Sequence, residues 1–436
     1  MATIPVPERI PVRYLERSRV ASIAFAAMAL VGAGAFFVQL QHDETAAWAS
    51  YVANWLFFTS VAMGAVMFAA ATSIVKAKWN WSVRRVSVAF AAFLPVAFLL
   101  LVPMLLGARE SYFPWIEEMA HDPVLQAKAA YLNVPFLVTR SLVGPLVLFG
   151  LALYYVYLVV RPDMGLVDPQ GLDAGQRSWR ERLMTGWAGQ TTEEARSTER
   201  VARVAPALAL VYAAAMSFLV YDWAMSLEPH WFSTLFGGWF FMGAFWGGIA
   251  ATAFASMWLR RQDPELERAI GLQQRHDLGK LAFAFCVFWA YLFWSQYIVI
   301  WYGKLEWEQA WVAHRSGPGW GSYSAAVIVL CFIVPFAGLL GRKPKIKPGW
   351  LQLFTGLVLL GLWSERYLLV APSLLPAYDP GVELHHALTG VGFLGLFLAA
   401  VRWFLCTFPV VQLWQPVAPD EMTEAEGPLA RGTAVR

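Results

Sequence analysis

A chain of 436 residues that is 58% hydrophobic and only 14% charged lacks the polar residues needed to coat a soluble protein. Its formal net charge of +3 is too small and too dispersed to argue for nucleic acid. The cysteines, Cys286, Cys331 and Cys406, each lie inside an apolar run and form no CxxC or CxxCH. That pattern supports neither covalent haem c nor an all-cysteine iron–sulfur cluster, and reads as buried structural thiols.

A charged segment, residues 1–17, precedes the first apolar run. The run has no small-residue cleavage site, so it reads as a retained helix and not as a signal peptide. Apolar runs of spanning length fall at 18–40, 52–75, 84–106, 130–160, 203–226, 232–259, 279–303, 321–341, 350–371 and 384–408. They predict an all-α integral membrane protein with ten transmembrane helices over residues 18–408. With 1–17 placed in the cytoplasm and the sides alternating from there, the inner segments and adjoining helix ends take nearly all of the 33 Lys and Arg. The exceptions are Arg109, Lys128, Lys304 and Arg315 outside and Arg140 and Arg366 within spans. This bias predicts both termini in the cytoplasm, including a tail at 409–436 rich in Pro, Glu and Ala. The inner loop 161–202, with Arg177, Arg180, Arg182, Glu193 and Glu194, has room for a short surface helix but not for a catalytic domain. The outer loop 107–129 carries Glu110, Glu117, Glu118 and Asp122. Gly243 and Gly247 form GxxxG, and Gly390, Gly392 and Gly395 crowd the last helix, marking close helix contacts. No nucleotide-binding glycine loop, zinc motif or nucleophile elbow is present.

The seventh run is unusual. Half the residues from Phe283 to Tyr302 are aromatic, with Tyr291, Ser295, Gln296 and Tyr297 as the uncharged hydrogen-bonding groups within it. One reading is a packing helix with interfacial aromatic belts. The other is the wall of a pocket for a flat, hydrophobic, hydrogen-bonding ligand such as a quinone, with Trp294, Gln296, Tyr297 and Trp301 as pocket residues. Ionisable groups within spans are expensive and are functional candidates by default. Here they are Arg140, Asp222, Glu365 and Arg366, with His385 and His386 opening the tenth helix just after Tyr378, Asp379 and Glu383. All fall in the outer half, as do all the histidines except His276. Arg140 has two roles open to it: pairing with Asp222 or Glu365 to pin the bundle, or joining Asp222, Glu365, Arg366, Tyr297 and the histidines in a proton path. Glu365 and Arg366 are neighbours, about 100° apart around a helix, so the expectation is that they face different surroundings.

The segments YDWAMSLEPHWFSTLFGGWFFMGAF (221–245) and FWAYLFWSQYIVIWYGKLEWE (288–308), with the ten spans, resemble the NrfD-like membrane subunits of the polysulfide reductase family. The match is closer to the shorter NrfD-like subunit of bacterial alternative complex III and covers nearly all of residues 15–410. It implies two four-helix bundles, helices 2–5 and 6–9, flanked by helices 1 and 10, in a bacterial cytoplasmic membrane. It also implies partners: a second NrfD-like subunit, an iron–sulfur subunit and cytochrome c subunits on the outer face. Electrons from menaquinol would pass to the partners' centres, and this chain would carry no redox metal, with menaquinone or a lipid as its expected occupant. Asp222, Gln296 and Tyr297 fall within the shared segments. In the companion subunit the quinol site uses a His on an early helix beside an Asp. The second helix here offers Asn54, Thr59 and Ser60 and no His, which points to a scaffold and proton-conducting role. The alternatives are an autonomous quinol-oxidising anchor and a secondary transporter, although no matching pair of Gly/Pro-broken helices favours the latter.

Overall fold

The computed structural model describes residues 10, 12–375, 377 and 379–414. Tyr378, most of the segment before Val12 and the tail from 415 lie outside the described residues, with the expectations placed on them. Among the described residues there is no strand, and ten helices are long and apolar enough to cross a membrane. They are α1 (Arg19–His42), α2 (Glu44–Ile74), α3 (Arg84–Gly107), α4 (Val134–Gly165), α5 (Gln190–Leu227), α6 (Thr234–Leu259), α7 (Leu272–Gly303), α8 (Trp320–Leu339), α9 (Pro348–Leu374) and α10 (Val382–Thr407). The chain is a multi-pass membrane protein.

Capping explains where helix ends depart from the apolar runs. Asp43 alone separates α1 from α2, and its carboxylate accepts from Ala46 N at 2.9 Å, so α2 starts before its apolar run. Asn133 Oδ1 likewise accepts from Phe136 N at 2.9 Å and sets the start of α4. The polar loop before α5 holds the short helix Ala174–Leu183, closed by a reciprocal Asp173–Gln176 capping box. Polar side chains then continue α5 back to Gln190, well ahead of its apolar part.

α2 is buried along almost its whole length, packed by α5, α6, α9 and α10, while α1 and α10 run along each other. Backbones touch where side chains are missing. A Cβ on Gly64 would stand 1.9 Å from Ala244 O, and one on Gly248 2.1 Å from Ala65 N, so α2 and α6 cross at these glycines. Gly32 and Gly392 do the same for α1 and α10, at 2.3 Å. Gly243 and Gly247 have a different use. Their bare flanks leave room for Arg366 and Trp289, and for Leu362 and Val61. Prolines free carbonyls that other side chains then use. Pro335 cannot donate to Cys331 O, the helix widens over Val329–Ile333, and the Cys286 thiol donates to that oxygen at 3.4 Å. Pro372 frees Leu368 O, which accepts from Arg315 Nε at 3.0 Å.

The basic loops share one end of the molecule. There Arg85 and Asp163, both fully buried, form an ion pair, and Asp163 Oδ1 accepts from Leu413 N at 3.1 Å and Trp414 N at 2.7 Å. This joins α3, the end of α4 and the C-terminal segment. The candidate site lies toward the opposite end, under the connections α5–α6 and α7–α8.

Candidate functional site

The intramembrane charges divide into two separate pairs. Arg140 on α4 grips Asp222 on α5 with both arms, Nε to Oδ2 at 3.0 Å and an Nη2 to Oδ1 bond of 2.7 Å. Its remaining arm donates to Tyr131 O at 3.1 Å, and the guanidinium lies 3.8 Å from the Tyr131 ring centre and 4.1 Å from that of Phe136. Every charged edge is satisfied, so the pair is a strap between two helices.

Arg366 and Glu365 have different neighbours, as their separation of about 100° around the helix implies, yet their side chains also pair. The flexible guanidinium arm swings around α9, donates to Glu365 Oε2, reaches Phe240 O at 3.4 Å and lies 4.2 Å from the Phe240 ring centre. Both side chains are 1% exposed. Glu365 Oε1 makes no hydrogen bond, and Trp289 Nε1 stands near this carboxylate short of bonding geometry.

Glu365 is among the residues that line a cavity of ≈ 480 Å³, within the size range of small-ligand pockets. Trp294, Gln296, Tyr297 and Trp301 line the same space. The aromatic density of α7 now has a geometric cause. Trp289, Phe293, Tyr297 and Trp301 recur every four residues and so share one helix face. Successive rings are near-parallel, with centroids 5.9, 6.5 and 6.2 Å apart. Trp239 of α6, Val327 and Ile328 of α8, and Leu368 and Leu369 of α9 complete the walls. Gln296 turns its oxygen to Ser233 Oγ, a 3.0 Å bond that ties the wall to the α5–α6 connection.

A short helix, Glu306–Ser316, covers one side. Its Trp311 stacks on Trp231 at 4.5 Å and 11°, and its Arg315 binds the end of α9. Besides Leu368 O, Arg315 donates to Leu369 O at 2.9 Å, Ser373 Oγ at 2.8 Å and Glu228 Oε1 at 3.0 Å. Burial pushes the Arg315 guanidinium down to about 10, against the opposing pull of Glu228. Sequence reasoning missed Trp231, Trp239, Trp289, Trp311 and Arg315. The four-residue spacing was the signal for Trp289, whereas the other residues come together only through tertiary contacts. The buried Arg85–Asp163 pair was missed because both residues sit at span ends.

His385 is partly buried, and its Nδ1 has no hydrogen-bond partner. His386 is fully buried beside Asn54 of α2, away from the cavity lining. Neither Arg140, Asp222 nor the histidines line the cavity. The aromatic walls, one unsatisfied carboxylate oxygen and the adjoining guanidinium suit a flat amphipathic molecule that offers a hydrogen-bond donor. No protein-family model matches this chain, and no curated protein matches it.

Proposed function

We propose that this chain is an integral membrane subunit of a respiratory quinol:electron-acceptor oxidoreductase of the alternative complex III type, without a redox metal of its own. The observation that carries the reading is the α6–α9 aromatic cavity with Glu365, one of whose carboxylate oxygens makes no hydrogen bond, among its lining residues. The residues fit a quinone head group: ring faces for stacking, a carboxylate for a hydroxyl, and a largely apolar lining. A bound quinol supplies electrons and protons. Glu365 Oε1 accepts the hydrogen bond from the head group and takes up a proton there. Arg366 holds the other carboxylate oxygen, so that Oε1 keeps its aim. The tryptophans exclude water, and Arg315 keeps the covering helix in place. Helices α2–α5 and α6–α9 form two bundles flanked by α1 and α10 in a bacterial cytoplasmic membrane, with the basic end and both termini in the cytoplasm. A second NrfD-like subunit, an iron–sulfur subunit and cytochrome c subunits complete the complex and carry the electrons onward.

The test is photolabelling of the purified complex with a photoreactive menaquinone analogue. Label on residues 289–301 and 365, competed by menaquinone and reduced in Glu365→Gln, is the expected result. Label confined to another subunit would leave this chain a scaffold only.

A further inference from the structure

An indole N–H donates and never accepts, so a buried tryptophan without a partner has only one kind of need. Several buried tryptophans of this chain have that need met. Trp55 Nε1 donates to Ala97 O at 2.8 Å, Trp246 Nε1 to Ala282 O at 2.9 Å, Trp223 Nε1 to Ser141 Oγ at 3.1 Å and Trp320 Nε1 to Leu375 O at 3.1 Å. Among the described residues four buried indole N–H groups make no hydrogen bond, those of Trp115, Trp231, Trp239 and Trp289. All of these except Trp115 belong to residues that line the aromatic cavity. Unmet donors are thus concentrated at the cavity, and buried groups of this kind call for a partner.

Trp289 has the Glu365 carboxylate beside it, which leaves Trp231 and Trp239 as the two without an acceptor. Both rings are fixed by their neighbours. Trp231, in the α5–α6 connection, meets Phe236 at 5.3 Å and 90° and is stacked on by Trp311. Trp239 packs on the same Phe236 at 6.0 Å, and on Trp289 and Phe293 at 5.8 and 6.0 Å. At 3% and 4% exposure neither residue is open to bulk water. Rings held this firmly cannot turn to find an acceptor elsewhere in the chain, so the acceptor has to come to them.

We infer that Trp231 and Trp239 are hydrogen-bond donors to the ligand of the aromatic cavity, and that this ligand presents oxygen acceptors to them, as a quinone carbonyl does. The inference rests on the quinone reading and sharpens it. The Glu365 carboxylate selects a ligand with a hydrogen to give, whereas the indoles select oxygen that can receive one. A quinol hydroxyl oxygen accepts, and so does the carbonyl that oxidation leaves. The two N–H groups therefore hold the head group in either redox state, while the bond to the Glu365 carboxylate needs the hydroxyl hydrogen. A ring of the same size without oxygen fills the space and leaves both donors unmet, and this is the discrimination the site provides.

The test measures binding of two probes to the full-length chain in lipid nanodiscs. One is a short-tailed menaquinone, and the other is its analogue with both ring oxygens removed and the tail kept. The wild type should bind the menaquinone about tenfold or more tightly than the analogue, a comparison that needs no variant. Trp231→Phe and Trp239→Phe keep an aromatic ring and lose the N–H. Each should weaken menaquinone binding by about five- to tenfold, the worth of one hydrogen bond, and weaken the analogue by less. The ratio of the two affinities separates the donor from the packing, because both probes meet the same smaller ring. Trp115→Phe, which removes an unmet N–H outside the cavity lining, should leave that ratio unchanged. Equal losses for the two probes in both variants, or equal wild-type affinities, would overturn the inference and leave a quinone site in place. Binding of neither probe would overturn the quinone reading and this inference with it.

Discussion

The two intramembrane arginine–carboxylate pairs use the same chemistry with opposite wiring. Arg140 and Asp222 come from different helices, meet edge to edge, and leave neither carboxylate oxygen free. Arg366 and Glu365 are neighbours on one helix, and the guanidinium bonds only one oxygen while the other makes no hydrogen bond. Sequence separation decides the difference. Residues on facing helices can align a guanidinium fork with a carboxylate, whereas residues about 100° apart on one helix cannot. A saturated pair suits a strap. An unsaturated one keeps a functional group available at the cost of leaving it unsatisfied.

Breaking the strap should give the largest effect. Arg140→Leu leaves Asp222, 2% exposed, as an unpaired buried charge and should cost about 3–5 kcal/mol, measured as lost thermal stability and lost assembly in detergent. The double change Arg140→Leu, Asp222→Leu should recover most of that loss. If the single variant is as stable as the wild type, the strap is not structural. Glu365→Gln should behave in the reverse way. Its fold and assembly should persist, while quinol-linked turnover falls by about 10²-fold, the scale of a lost proton-transfer group. Normal turnover in an assembled Glu365→Gln complex would end the cavity's role in proton transfer. A milder effect is expected at the covering helix. Arg315→Lys keeps a positive charge but cannot make the four-sided contact with Leu368 O, Leu369 O, Ser373 and Glu228. It should destabilise residues 306–316 locally by about 1–3 kcal/mol, read as faster amide exchange there with α9 unchanged.

Legibility followed the range of the interaction. The ten spans were readable because each needs only its own apolar run, and their ends moved where a single cap such as Asp43 or Asn133 intervened. Trp294, Gln296, Tyr297 and Trp301 lie close in sequence, and a helix keeps them close in space, so their common cavity needed only local geometry. Glu365 stood out by its cost in hydrocarbon. Arg366 stood out in the same way, but their pairing did not, because α-helical spacing argues against it and only side-chain length overrides that. Trp231 and Trp311, eighty residues apart, stack through a tertiary contact for which no local pattern exists. The GxxxG at Gly243 and Gly247 was visible, yet the tighter crossing uses Gly64 and Gly248, which belong to different helices and form no motif.

A third pair, outside the spans at the same end, shows what water does to the same chemistry. His230 Nε2 lies 2.6 Å from Asp122 Oδ2, joining the α3–α4 connection to the α5–α6 connection, with the two side chains 51% and 23% exposed. Desolvation pushes the Asp122 carboxyl up, but the Val124 N–H and His230 outweigh it and hold the group below its ordinary value of 3.8. A depressed carboxyl stabilises the fold above that ordinary value, and the contribution disappears as pH falls through the lower folded one. Near neutral pH the Asp122 contribution should therefore be flat, and acid should remove it only below 3.8. When the imidazole carries charge, exposure also makes the contact sensitive to salt, because about 10 Å of screening length at 0.1 M reaches a solvated pair but not a buried one. Raising salt should loosen residues 228–233 in the wild type and have no such effect in Asp122→Asn. The Arg140–Asp222 strap should show no salt response in the same samples. Equal salt responses from the exposed pair and the buried strap would mean that water reaches Asp222, and the distinction between a sealed strap and an open carboxylate would collapse.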